Sequence, residues 1–125
     1  MTENDLSYMI RGAIFRVNTN VGPGLLESAY EMALCQELRN KGLNIQKQVG
    51  LPFIYGDEKL DIGYRIDILV EDKVIIEVKS VESLADVHYK QLLTYLKLSG
   101  MKLGILVNFN SNDMKSNIKR VVNNL

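Results

Sequence analysis

At 125 residues the chain is shorter than the ~150 residues of a common domain, so a single domain over 1–125 is expected and two independent cores are excluded. Apolar residues at 46% and charged residues at 24% are the proportions of a folded globular protein, not of a disordered one. Fifteen Lys and Arg balance fifteen Asp and Glu, which excludes a protein held on nucleic acid by bulk positive charge, so any such contact has to be local.

The balance is uneven along the chain: residues 1–85 are net acidic by four charges, and residues 86–125 net basic by four. A lone cysteine, Cys35, on a helical pattern reads as a small core residue, and with one histidine, His88, it excludes zinc sites built from Cys and His clusters. The acidic start, Met-Thr-Glu-Asn-Asp, is unlike a signal peptide, and no apolar run approaches the ~20 residues of a membrane span. A cytoplasmic protein without membrane contact is expected.

In chain order, Met9, Ile10, Ala13, Ile14 and Val17 recur at helical spacing and predict a helix over about Leu6–Asn18, stopped by Gly22-Pro23-Gly24. Leu26, Tyr30, Ala33, Leu34 and Leu38 predict a second over about Leu25–Lys41, with Gly42 just past its end. Extended segments follow near Asn44–Leu51 and Pro52–Tyr55, then a turn at Gly56-Asp57 and two strands rich in Ile and Val, Tyr64–Val70 and Lys73–Val78. A third helix, about Asp86–Ser99, precedes Gly100 and a buried strand, Leu103–Phe109. A short basic helix over about Asp113–Val122 closes the chain. This order predicts an α/β fold in which helices pack on a mixed sheet.

Alternation in the two marked strands separates Arg65, Asp67 and Leu69 from Tyr64, Ile66, Ile68 and Val70, and Ile75, Glu77 and Lys79 from Val74, Ile76 and Val78. A two-residue hairpin loop would send the apolar faces to opposite sides. A three-residue loop, Glu71–Lys73, joins them into one core face and sets Asp67 across from Glu77, so hydrophobic matching selects it. Two carboxylates so placed lie ~5 Å apart at Cβ and repel unless a cation sits between them. That cation is either a divalent metal or one of Arg65 and Lys79. Hard oxygen ligands suit Mg²⁺, and a lysine two residues beyond Glu77 would stand beside it, placed to assist an attacking water. An ordinary exposed strand face with a Glu/Lys pair would carry the same residues.

Projected at about 100° per residue, Glu27 falls between Leu34 and Leu38 on the core-facing stripe of the second helix, although a first-turn carboxylate is also favoured by the helix dipole. Gln91 projects into the apolar arc of the third helix, where its amide needs partners, with His88 nearby as a partly buried structural histidine.

Gly24-Leu25-Leu26-Glu27-Ser28-Ala29-Tyr30 has the form G-x-x-E-x-x-Y, and Tyr64-Arg65-Ile66-Asp67, Ile76-Glu77-Val78-Lys79 and Gln91-Leu92-Leu93-Thr94-Tyr95-Leu96-Lys97 follow it. With these motifs in order the chain resembles, over nearly its whole length, the GxxExxY family, a bacterial and archaeal branch of the PD-(D/E)XK nuclease-like superfamily. The resemblance implies a restriction-endonuclease-like core of helix, three-stranded meander, helix and strand, here with an extra N-terminal helix and the short C-terminal helix. It implies Asp67, Glu77 and the main-chain carbonyl of Val78 as metal ligands, Lys79 as the catalytic lysine, Glu27 as a helix-borne acid adding a direct or water-mediated metal contact, and Gln91 as support. Ile66 stands where the superfamily motif has proline. The activity implied is a nuclease using Mg²⁺, or Mn²⁺, on nucleic acid, DNA ahead of RNA, with a homodimer or protein partner contributing specificity. A nucleic-acid-binding or partner-binding module of the same fold, without catalysis, is the other reading.

Overall fold

The computed structural model describes residues 1–125. Its elements are α1 (Glu3–Val21), α2 (Glu27–Asn40), β1 (Ile45–Gly50), β2 (Phe53–Tyr55), β3 (Glu58–Leu60), β4 (Arg65–Val70), β5 (Val74–Lys79), α3 (Asp86–Ser99), β6 (Leu103–Asn108), a 3-10 turn (Lys115–Asn117) and β7 (Ile118–Val122). Five strands form one mixed sheet in the order β1-β4-β5-β6-β7, and β2 and β3 form a separate small hairpin. The pairings are antiparallel except β5 with β6, which run parallel because α3 carries the chain back between them. This is a restriction-endonuclease-like core of helix, meander, helix and strand.

α1 begins three residues earlier than its apolar spacing predicts because Thr2 caps it: the Asp5 N–H donates to Thr2 Oγ1 at 3.1 Å, and the Thr2 N–H to Asp5 Oδ2 at 2.9 Å. Leu6, Ile10, Ala13, Ile14 and Val17 of α1 and Leu34, Cys35 and Leu38 of α2 bury one face of the sheet, against Ile68, Val70, Val74, Ile76 and Val78. The opposite face is covered by α3, whose Leu92, Tyr95 and Leu96 pack on Leu69, Ile75 and Leu106. β5 and β6, covered on both sides, are the continuous apolar runs that such a position requires.

The hairpin between β4 and β5 has the expected three-residue loop. Val70 pairs with Val74, Glu71 and Asp72 both take left-handed backbone at φ +53° and +52°, and the Lys73 N–H closes on the Val70 carbonyl at 2.9 Å. The third residue preserves the alternation on both strands, so the apolar face is continuous.

The expected C-terminal helix is not formed. Met114, Ile118 and Val121 do recur at helical spacing, but the segment makes one 3-10 turn and then joins β6 as the antiparallel edge strand β7. The fully buried β6 has backbone N–H and C=O groups on the side away from β5 that need partners, and β-branched Ile118, Val121 and Val122 suit the strand that supplies them. β3, in a stretch without alternation or a hydrophobic run, was not expected; it pairs only with β2. No helix is long and apolar enough to cross a membrane.

Candidate active site at the fork of two strands

The ladder between β4 and β5 stops at Ile68 and Ile76. One step further the same register sets Asp67 across from Glu77, but the strands no longer bond to each other there: the Val78 N–H donates to Asp67 Oδ2 at 2.9 Å in place of a backbone carbonyl. The sheet thus opens into a fork with a carboxylate on each prong. Glu77 is only 2% exposed, and its Oε1 has no hydrogen-bond partner. Burial, followed by the adjoining Asp67 carboxyl, pushes Glu77 up to about 10, against the opposing pull of the Lys79 charge. At neutral pH the pair therefore carries a proton that a bound cation would replace.

Lys79 lies two residues along β5 from Glu77, half-buried, and its Nζ donates to Gln91 Oε1 at 3.2 Å. The Gln91 amide donates in turn to the Tyr95 hydroxyl at 3.2 Å. Burial, then the Glu77 charge, raises the Tyr95 hydroxyl above its ordinary value. Gln91 does what its place on the apolar arc required: its amide is satisfied, and it orients the lysine. Tyr95 was legible only as a core residue, since its hydroxyl finds a polar task only once α3 lies over the fork.

Glu27 is the first residue of α2, exposed, and its Oε2 accepts from the Ser80 N–H at 3.1 Å, one residue beyond Lys79. The projection that aimed it inward is corrected in degree: it reaches the sheet end without being buried, because the helix begins at Glu27. The loop before it is clamped by the motif's own tyrosine. The Tyr30 hydroxyl donates to the Gly22 carbonyl at 2.6 Å and accepts from the Leu25 N–H at 3.1 Å, and its ring stacks on Phe109 with centroids 4.7 Å apart. The Ser80 hydroxyl donates to the Leu25 carbonyl at 2.7 Å, completing the link between this loop and the end of β5.

Two further residues join the site that sequence reasoning did not single out. Gln48 on β1 faces Asp67 across the sheet, and its φ of +52° is the one left-handed non-glycine backbone inside a strand. Its Nε2 donates to both Glu31 carboxylate oxygens at 3.0 and 3.2 Å, with a longer 3.4 Å contact to Asp67 Oδ1. Glu31 is one turn along α2 from Glu27. Burial raises its carboxyl above the ordinary range, the Gln48 amide opposes that rise, and the Asp67 charge adds to it. The spacing of Glu27 and Glu31 was the available signal; Gln48 gave none, since its neighbour follows from which strand β4 pairs with. The buried Asn108 braces the far side: its side chain bonds the Val81 N–H and C=O, each at 3.0 Å, fixing the chain just beyond Lys79.

Asp67, Glu77, Lys79 and Gln91 are therefore gathered on one face of the fork, with Val78 supplying its main chain between them. Glu27 stands at the rim, and no three carboxylates or imidazoles close into a ready-made ligand set. The paired hard oxygens and the unpartnered buried Glu77 Oε1 fit a small divalent cation, which takes one or two carboxylates and keeps several waters. His88 stays outside the site: its Nδ1 accepts from the Ala85 N–H at 2.9 Å and caps α3.

The solved structure of SSO0001 is similar, with a TM-score of 0.59 and 23% identity over 79% of this chain, which spans 51% of that protein. An alkaline exonuclease from Laribacter hongkongensis aligns with a TM-score of 0.47 and 16% identity over 97% of this chain and 70% of its own. No curated protein matches. A family model described as the PD-(D/E)XK nuclease superfamily matches residues 4–121, and the chain belongs to that superfamily.

Proposed function

We propose that the protein is a metal-dependent nuclease of the GxxExxY type, hydrolysing a phosphodiester bond of nucleic acid, DNA ahead of RNA, in the cytoplasm. The observation that carries this reading is the buried Glu77 carboxyl, its Oε1 without a hydrogen-bond partner, facing Asp67 at the point where β4 and β5 part. Without an incoming cation it is a cost to the fold with no structural return. Asp67, Glu77 and the Val78 main chain would hold Mg²⁺ or Mn²⁺, with Glu27 contributing directly or through water. The bound ion would supply charge neutralisation at the phosphate and acidify a water. Lys79, whose Nζ donates to Gln91 Oε1, would hold the attacking water and offset charge growing on the phosphate oxygens. Asp67, its Oδ2 tied to the Val78 N–H, keeps one geometry throughout.

Labelled single- and double-stranded DNA and RNA, incubated with the protein and Mg²⁺, Mn²⁺ or EDTA, test the proposal. Metal-dependent cleavage by the parent and none by Lys79→Gln, with metal binding retained, is expected. Binding without cleavage under every condition would favour the non-catalytic module, which draws on Glu27 being engaged by Ser80 and not by the fork.

A further inference from the structure

Two residues along β4 from the fork lies a polar cleft of about 360 Å³ lined by Gly50, Leu51, Pro52, Lys59, Asp61 and Arg65. Arg65 is on β4 two residues before Asp67, on the same face and so roughly 6.6 Å along the strand from it. Its guanidinium has no acidic partner, since the single ion pair of the protein is Arg16 with Glu37 on the helices. Asp61, the one acid in the cleft, accepts from the Gly63 N–H at 3.0 Å. Lys59, on the small hairpin, supplies a second cation across the cleft.

Gly50 leaves room for this arrangement. It pairs directly with Arg65, and its φ lies outside the left-handed region, so its backbone does not require glycine. A glycine in a strand is unfavourable by itself and marks a place where something approaches closely. Here that something is the arginine: a Cβ at position 50 would lie 2.5 Å from Arg65 Nη1. The missing side chain leaves the guanidinium free to lie over Gly50 in the cleft that Lys59 also lines.

We propose that this cleft is a phosphate subsite, in which Arg65 and Lys59 hold a phosphodiester of the nucleic-acid strand next to the bond presented at the fork. This rests on the nuclease reading and adds where the strand runs: off the fork, along β4, and out between the sheet edge and the β2–β3 hairpin. A guanidinium offers two parallel donors to one phosphate, and the lysine adds a mobile charge.

The test is equilibrium binding of fluorescently labelled single- and double-stranded DNA and RNA, with Ca²⁺ in place of Mg²⁺, over a series of salt concentrations. Arg65→Gln and Lys59→Gln should each weaken binding about tenfold and lower the slope of log affinity against log salt by about one. Gly50→Val, which changes no charge, should weaken binding by displacing Arg65 and should add nothing in an Arg65→Gln background. Arg16→Gln, on the opposite side, should change neither affinity nor slope. A parent that binds while all three cleft variants keep its affinity and slope overturns the subsite and leaves the nuclease reading standing. A Gly50→Val effect undiminished without Arg65 overturns it as well. A parent that binds no nucleic acid overturns both.

Discussion

Replacing Glu77 by Gln should make the metal-free protein more stable at neutral pH, and the size of the gain follows from the burial of this carboxyl. In the unfolded chain Glu77 loses its proton near the ordinary glutamate value of 4.5; in the fold, burial and Asp67 push it up to about 10. Between those values the native state binds a proton that the unfolded state has released, so stability falls as pH rises. The stability is complete below about 4.5 and declines by about 1.4 kcal/mol per pH unit above it. Between 4.5 and 7 the loss is about 3 kcal/mol, large against the 5–15 kcal/mol that hold a typical domain together. Gln has the same shape, does not titrate, and can donate its amide to Asp67. Urea denaturation in EDTA at about pH 5, 6, 7 and 8 measures the effect. The variant should match the parent within about 1 kcal/mol at the acid end and exceed it by up to about 3 kcal/mol at pH 7. Titrating groups that do not interact with Glu77 are common to both chains and cancel in the difference, so what remains belongs to Glu77 and the groups it touches, Asp67 first. A variant less stable than the parent at pH 7, or a difference independent of pH, would refute the reasoning and make Glu77 an ordinary structural residue.

Added Mg²⁺ or Mn²⁺ should raise the melting temperature of the parent, with about 2.7 kcal/mol gained at a hundredfold excess over Kd. The gain should grow between about pH 6 and 9, because the ion must displace the Glu77 proton; calorimetric melts with and without metal check both, and indifference to either ion counts against the metal site. Gln48→Gly relieves a left-handed backbone worth roughly 1–2 kcal/mol while removing the amide that joins Glu31 and Asp67, so its melting temperature should stay near the parent's while Mn²⁺ affinity, by titration calorimetry, falls severalfold. Unchanged affinity would make Gln48 a bystander. Gly104→Ala should cost about 1–3 kcal/mol in urea denaturation, since its methyl would meet the fully buried Leu92 Cδ1 at 2.7 Å and α3 would have to lift. A neutral result would show that α3 sits loosely on β6.

The three helices, the buried strands β5 and β6 and the hairpin loop were legible in the sequence because each is encoded by residues close together. α3 came out with its bounds intact, Asp86–Ser99, from a clean apolar stripe ended by Gly100. The three-residue loop followed from matching two apolar faces, and with it the meeting of Asp67 and Glu77, which needs only one hairpin. The final segment reads as a helix from its local pattern, but the open edge of β6 demands a strand, and the backbone hydrogen bonds that edge requires outweigh a weak helical preference. Gln48, Glu31 and the hydroxyl of Tyr95 became site residues only through strand order and helix placement. The opening of the β4–β5 fork is likewise tertiary: α2 and α3 close on opposite faces of the sheet while an Asp67 oxygen replaces a ladder bond, and that is what turns two facing carboxylates into a place for a cation.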